Sequence, residues 1–285
     1  MEKFPLYRWW KAQEIEKIFP ETLLKSREKY CVAACSRFLT MNFIKDHAWV
    51  LSCGGQSAAA MILHSRKTLF PVFNGQTEFF TPTFLLRALK NIDIYAIQGL
   101  KKETETLEKI LMPLGFSARE YKDFNLMFFN KSQKNKITKA PKHLTLRRAI
   151  LEDGDKIMPL QELYEKEEVL PEGNTFNRSV SRLNLAEILK KQQCLVAEID
   201  GRIVGKINTN AQSFSCAQLG GVFVLPEFRG LGIASCMVSL FTDMLSSSGK
   251  DITLNVKKQN IKAQIVYKKC GFKKIADYRT VYMQE

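Results

Sequence analysis

Residues 222–238 read VFVLPEFRGLGIASCMV: an apolar strand, a turn with one arginine and two nearly adjacent glycines, and the start of an amphipathic helix. This order constrains the fold more than any other feature of the chain. The first N–H groups of a helix have no partner within it, and glycines in the turn let another molecule approach the main chain closely. Such a turn attracts anions. Ile233, Met237, Phe241 and Met244 recur at helical spacing, so the helix lays one apolar stripe on the sheet that holds the strand.

The flanking sequence supplies the rest of that sheet. HLTLRRAI, from His143, alternates as a strand, and residues 153–192 are helical in character with a break around LPEGN. CLVAEIDGRIVGKINTNA is predicted as a hairpin turning at Asp200-Gly201, and SFSCAQLGGVFV as the next strand. DITLNV is predicted as a strand, NIKAQIVYKKCG as a helix ending at Gly271, and FKKIADYRTVYM as the last strand. The order β, helices, βββ, α, β, α, β predicts an α/β fold with a mixed, mostly antiparallel central sheet flanked by helices. The polar, basic segment NKSQKNKITKAPKH, residues 130–143, reads as a linker. The expected organisation is therefore 1–135, a linker over 136–143, and 144–285.

Arg229-Gly-Leu-Gly232-Ile-Ala234 satisfies Q/R-x-x-G-x-G/A when read from Arg229 with its neighbours, and LNVKKQNIKAQIVYKKCGF follows downstream. Together they resemble the GCN5-related N-acetyltransferases, over roughly residues 144–283. The resemblance implies the acyl-CoA N-acyltransferase fold and acetyl-CoA as co-substrate. It implies that the main chain of Val222, Phe223 and Val224 meets the pantetheine arm where this strand splays from Leu254–Val256. Arg229, Gly230, Leu231, Gly232, Ile233 and Ala234 would then surround the pyrophosphate, and Asn260 would contact the cofactor. Tyr267 stands where the family has its usual general acid, and a phenol can protonate a leaving thiolate. Asn260, Ala263 or Gln264, and Tyr267 share a helix face. No general base is identified: SFSCAQLGG holds no carboxylate, and neither Glu198, Glu227 nor any of His47, His64 and His143 has a position that marks it. QELYEKEEVLPEG, residues 161–173, is the densest acidic run, read here as a solvated helix face where the family builds the acceptor side.

The first half echoes the second. LGFSAREYKDFNLMFF, from Leu114, aligns without a gap on CGFKKIADYRTVYMQE, from Cys270, and HAWVLSCGGQSAAAMILH has the same hairpin plan as QCLVAEIDGRIVGKIN. The N-terminal half thus resembles a degenerate copy of the same fold, in tandem. It lacks the glycine signature between Phe73 and Phe84, so no cofactor is expected there. Phe116 and Phe272, each after a helix-ending glycine, are both expected in the core. A fragment from about residue 141, if soluble, is expected to keep the acetyl-CoA affinity.

Composition sets the remaining bounds. Of 285 residues, 45% are hydrophobic and 25% charged, as in a soluble globular protein. No apolar run approaches the ~20 residues that span a bilayer, and a cytoplasmic location without a membrane partner is expected. The net charge of +14 is spread over both halves without a nucleic-acid-binding motif, so it is read as a basic surface suited to an anionic co-substrate. Seven scattered cysteines give no metal-site spacing and are read as buried apolar residues; no metal is expected. The chain is thus expected to move an acetyl group from acetyl-CoA to a primary amine of a small molecule or protein, by direct attack in a ternary complex. Two alternatives stand beside this: a tandem-domain acyltransferase using another donor such as aminoacyl-tRNA, and a non-catalytic module that senses acyl-CoA.

Overall fold

A computed structural model describes residues 7–13, 18–53, 57–74, 83–130, 132 and 140–284. The chain divides into two compact units, one made of Met1–Asn125 with Ala276–Glu285 and the other of Leu126–Ile275. The first unit contains β1 (Tyr7–Lys11), α1 (Ile18–Ser26), α2 (Val32–Leu39), β2 (His47–Cys53), β3 (Ser57–Ser65), β4 (Thr68–Phe73), α3 (Thr83–Lys90), β5 (Ala96–Leu100), α4 (Lys101–Leu111) and most of β6 (Ala118–Phe129). β1 to β4 are antiparallel neighbours, and β4 runs parallel to β5.

The second unit repeats the plan. β7 (Leu144–Arg148) leads to α5 (Gly154–Tyr164), a π-helical turn over Glu165–Val169, and α6 (Arg178–Lys191). Then come β8 (Cys194–Ile199), β9 (Arg202–Gln212), β10 (Cys216–Val224), α7 (Ile233–Ser247), β11 (Asp251–Lys257), α8 (Ile261–Lys269) and β12 (Phe272–Met283). β7 to β10 are antiparallel neighbours, and β10 and β11 are parallel. The fold is mixed α/β with a mostly antiparallel sheet, and the order β, two helices, βββ, α, β, α, β occurs twice. At the predicted hairpin both Asp200 (φ 48°) and Gly201 (φ 78°) are left-handed, as a tight two-residue turn requires. No described helix is long and apolar enough to cross a membrane.

The compact units do not follow the expected boundaries of 1–135, 136–143 and 144–285, because strand ends are exchanged. Met127 and Phe129, which precede the linker, are buried in the core of the second unit, and the Phe129 ring lies 5.4 Å from that of Phe272. Conversely, β12 runs on from Phe272 into the first unit. There Tyr278↔Leu100 through Tyr282↔Ala96 pair antiparallel with β5, and Val281 and Met283 join the core. The linker residues 131 and 133–139 lie outside the described residues.

The glycines that end the corresponding helices, Gly115 (φ 90°) and Gly271 (φ 95°), are both left-handed. Phe272 is 1% exposed, as expected, whereas Phe116 is only half-buried. Phe272 is the first residue of β12, while β6 begins two residues after Phe116, which leaves that side chain in the turn. Most of the segment expected to lack a cofactor turn, residues 75–82, lies outside the described residues.

Candidate active site

β10 and β11 part company within the sheet. Their parallel register runs from Cys216↔Asp251 to Leu219↔Leu254, yet β10 continues to Val224 and β11 to Lys257. A bulge in β10 accompanies the parting. The pairing with β9 shifts between Gly220↔Asn208 and Phe223↔Lys206, and Gly221 there has φ 59°. Beyond the bulge, the Leu225 N–H donates to the Val204 carbonyl at 2.9 Å, on the β9 side. Strand alternation therefore turns the N–H groups of Val222 and Val224 the other way, toward the gap. The Val224 carbonyl on that side accepts Arg229 Nε at 2.9 Å.

At the end of β10 the main chain enters the turn. Gly230 (φ 85°) and Gly232 (φ 83°) are both left-handed, and a Cβ on either would meet nothing within 4 Å. They are glycines for backbone conformation, and they leave open space above the start of α7. Gly232 is the N-cap of α7 and supplies no side-chain cap, so the first-turn N–H groups are not covered by one. Leu231 is exposed and Ala234 half-buried, while the side chains of Phe223, Val224 and Ile233 are buried in the core. Only the main chain of those three residues can face a ligand.

Arg229 is held on three sides. Besides the Val224 carbonyl, its guanidinium reaches Glu167 Oε2 at 2.9 Å and lies 5.0 Å over the Phe223 ring. The π-turn that carries Glu167 also presents Glu168, which accepts from Asn260 Nδ2 at 3.1 Å and pairs with Lys257 at 3.2 Å. The acidic run read as a solvated helix face is in fact tied to the turn and to the head of α8. Asn260 does cap that helix, its Oδ1 accepting from the Ala263 N–H at 3.0 Å. Farther along α8, Tyr267 packs edge-on against Phe272. Burial first, then the neighbouring Tyr164 and Glu168, push its phenol well above the usual range. The hydroxyl therefore keeps its proton throughout the neutral range.

Val222–Val224 lie on β10, Arg229–Gly232 in the β10–α7 turn, Ile233 and Ala234 at the start of α7, Asn260 at the cap of α8 and Tyr267 on α8, all in one unit. The carboxylates considered as bases are otherwise engaged. Glu198 accepts from Arg147 at 2.6 Å and Glu227 from Arg202 at 2.8 Å.

Residues 158–272 match the acetyltransferase (GNAT) family. That segment is a GNAT domain. No curated protein sequence matches the chain. Solved structures resemble it along almost its whole length. A Drosophila protein is 13% identical, with 99% of each chain covered and a TM-score of 0.67. A GCN5-related N-acetyltransferase from Sphaerobacter thermophilus is 14% identical, over 98% of this chain and 95% of that one, at 0.62. A tandem GNAT protein from the clavulanic acid biosynthesis pathway is 11% identical, over 98% of both chains, at 0.56. At these identities the likeness is one of fold, and it extends the acyltransferase fold of the GNAT domain to the N-terminal half.

A polar cluster without a local signal in the sequence lies beneath the β10 bulge of the GNAT domain. Lys206 on β9 is 1% exposed; its Nζ donates to the Gly221 carbonyl at 3.2 Å and to Asn208 Oδ1 at 3.3 Å, and lies 4.7 Å from the Tyr164 ring centre. The Tyr164 phenol accepts the Gly221 N–H, and burial raises it to about 12. A Cβ on Gly221 would collide with the Asn208 amide and the Lys206 amine. Burial lowers the Lys206 ammonium to about 8.

Proposed function

We propose that the chain transfers an acetyl group from acetyl-CoA to a primary amine, in a ternary complex formed on the GNAT domain. The observation that carries this reading is the parting of β10 from β11 beside the left-handed glycine turn: main-chain donors beyond the last paired residues face a gap that ends at a helix start. The space above Gly230 and Gly232 suits a pyrophosphate, for which the α7 N-terminus offers N–H donors and the positive end of its dipole. The N–H group of Val224 suits the extended amide chain of pantetheine, and that of Val222 is left for the acyl carbonyl.

In that pose the free electron pair of the amine attacks the thioester carbonyl carbon, and the negative charge that develops on its oxygen is met by a β10 main-chain N–H. Collapse of the tetrahedral adduct breaks the C–S bond, and Tyr267 donates its proton to the departing sulfur. The proton that the attacking nitrogen then carries leaves to solvent and Tyr267 regains its own from solvent, since Glu198 and Glu227 are both ion-paired. Arg229 braces the turn through Val224, and Asn260 fixes the head of α8.

Calorimetric titration with acetyl-CoA, set against titration with aminoacyl-tRNA, tests the donor, and thiol release with a panel of primary amines tests turnover. Saturable acetyl-CoA binding with amine-dependent thiol release is expected. Binding of aminoacyl-tRNA alone, or of acetyl-CoA without turnover on any amine, overturns the proposal.

A further inference from the structure

A buried lysine without a carboxylate bonded to it is an expensive feature in a protein core. Lys206 is one, and its amine is aimed at a single peptide group. Gly221 C=O, which accepts from Lys206 Nζ, belongs to the same peptide as Val222 N–H. The two ends of a trans peptide point in opposite directions, so the amine pulls on one end while the N–H at the other faces the β10–β11 gap. Hydrogen bonding at a carbonyl polarises the peptide and strengthens its N–H as a donor. The preceding peptide is fixed as well, because the Gly221 N–H donates to the Tyr164 phenol.

The geometry points to Lys206 as a positioning residue for acyl transfer: through the Gly221–Val222 peptide it sets and polarises the N–H donor that meets the thioester oxygen. Lys206 does not touch the substrate; it acts through the bulge. Asn208 holds the amine from the other side and is itself fixed by donating to Asn210 Oδ1 at 3.0 Å. The inference rests on the proposed acetyl-CoA reaction and adds to it the origin of the oxyanion donor's strength.

The charge on Lys206 is then a variable of the site, since its ammonium titrates near pH 8. The titratable groups around it are Tyr164 of α5, Glu165 of the π-turn and Cys194 of β8. Burial holds the Tyr164 phenol near 12 and the Cys194 thiol near 11, so neither changes charge between pH 7 and 9. Loss of the Lys206 proton in that interval weakens its bond to Gly221 and, with it, the Val222 N–H donor.

The test reads the acyl carbonyl directly and needs no acceptor. Acetyl-CoA labelled with ¹³C at the thioester carbonyl is bound to the whole protein, and the C=O stretch is recorded by infrared difference spectroscopy from pH 6.5 to 9.5. In the wild type the band is expected below its position in free acetyl-CoA, returning toward it as pH rises through about 8. Lys206→Met should leave acetyl-CoA affinity within about 3-fold, hold the band near the free position at every pH, and lower thiol release with the best amine of the panel about 10-fold or more, less than loss of an oxyanion donor itself. Lys206→Gln, which keeps an N–H donor without a charge, should lie between the two and be independent of pH. A band that is pH-independent in the wild type, or unmoved in a folded Lys206→Met protein, overturns the inference. If neither variant folds, the wild-type titration decides alone. Failure of the wild type to bind acetyl-CoA at all counts against the proposed donor instead.

Discussion

Two side chains in the GNAT domain show how burial sets the protonation of ordinary residues. Tyr267 is held protonated by its surroundings, which suits a group that must arrive at the leaving sulfur with its proton in place. Replacing it by phenylalanine keeps the edge-on packing against Phe272 and removes only the hydroxyl. Acetyl-CoA affinity, measured by calorimetry, should persist while steady-state turnover falls by roughly 10²- to 10⁴-fold; undiminished turnover would return the residue to a packing role. Lys206 shows the same penalty on charge acting on a base. Its folded-state value near 8 lies below the ordinary 10.5, so the folded chain gives up this proton more readily than the unfolded one. Its contribution to stability is complete above about pH 10.5 and is lost as pH falls through about 8. The unfolding free energy of the wild type relative to Lys206→Met should therefore decline between pH 10.5 and 7, by up to about 3 kcal/mol. Denaturant melts of the two proteins at both pH values check this, and a constant difference would mean that the lysine is neither desolvated nor strained. Tyr267 could be picked from the sequence because the family resemblance carries it, at a fixed spacing from Asn260 along one helix. Lys206 could not: period-two alternation places it and Asn208 on the face opposite Ile203 and Ile207, which reads as solvent, whereas β9 is buried on both faces.

At the scale of elements, the β10–α7 turn and the head of α4 make a contrast. The turn of the GNAT domain is open, and its two left-handed glycines have space where a side chain would stand. Gly232→Val should cost on the order of 1–2 kcal/mol, for a β-branched residue forced into the left-handed region. It should also remove acetyl-CoA binding, because the side chain enters the space above the helix start. Retained affinity in a folded variant, by the same titration, would detach the turn from the phosphates. In the first unit, parallel pairing of β4 with β5 covers Thr68↔Ala96 and Leu69↔Ile97, and at the end of β4 the Phe73 N–H donates to Glu103 Oε1 at 3.1 Å. Glu103 is buried, accepts from Arg27 at 2.8 Å, and is raised by desolvation to about 7. Here a side chain of the protein's own occupies a strand-end donor. A raised carboxyl value means stability that is complete below about pH 4.5 and lost as pH rises through 7. Relative to Glu103→Gln, the wild type should thus lose up to about 3 kcal/mol between pH 4.5 and 8, read by thermal or denaturant unfolding. A flat difference would mean that Arg27 fully compensates the burial.

For the whole molecule, the exchange of strand ends decides which pieces can stand alone. A fragment from residue 141 holds every element of the candidate site, and by sequence it is a complete domain. It lacks Met127 and Phe129, which the core around Phe272 contains, and it leaves Tyr278–Tyr282 without β5. Deleting a buried phenylalanine alone costs about 3–5 kcal/mol, a large part of a domain's total stability. The fragment 141–285 is therefore expected to show no cooperative melt and no acetyl-CoA binding, in contrast to the intact chain. A cooperative melt at the temperature of the full-length protein would refute a core that depends on residues before the linker. This replaces the expectation from sequence that such a fragment, if soluble, keeps the acetyl-CoA affinity.

The order of elements, the hairpin at Asp200-Gly201, the glycine turn after β10 and the repeat of one plan in both halves were all legible in the sequence. Each is encoded locally, by periodicity, by glycines where φ must be positive, or by a fixed spacing along one helix. What the tertiary structure alone decided is everything that depends on which elements come together. The π-turn's Glu167 and Glu168 meet Arg229 and Asn260 from more than sixty residues away. Lys206 becomes a buried cation only when helices cover both faces of its strand. β6 and β12 each complete a core that the adjacent sequence does not announce. Contacts between distant segments carry no local signature, and the free energy of a buried charge is fixed by the side chains around it.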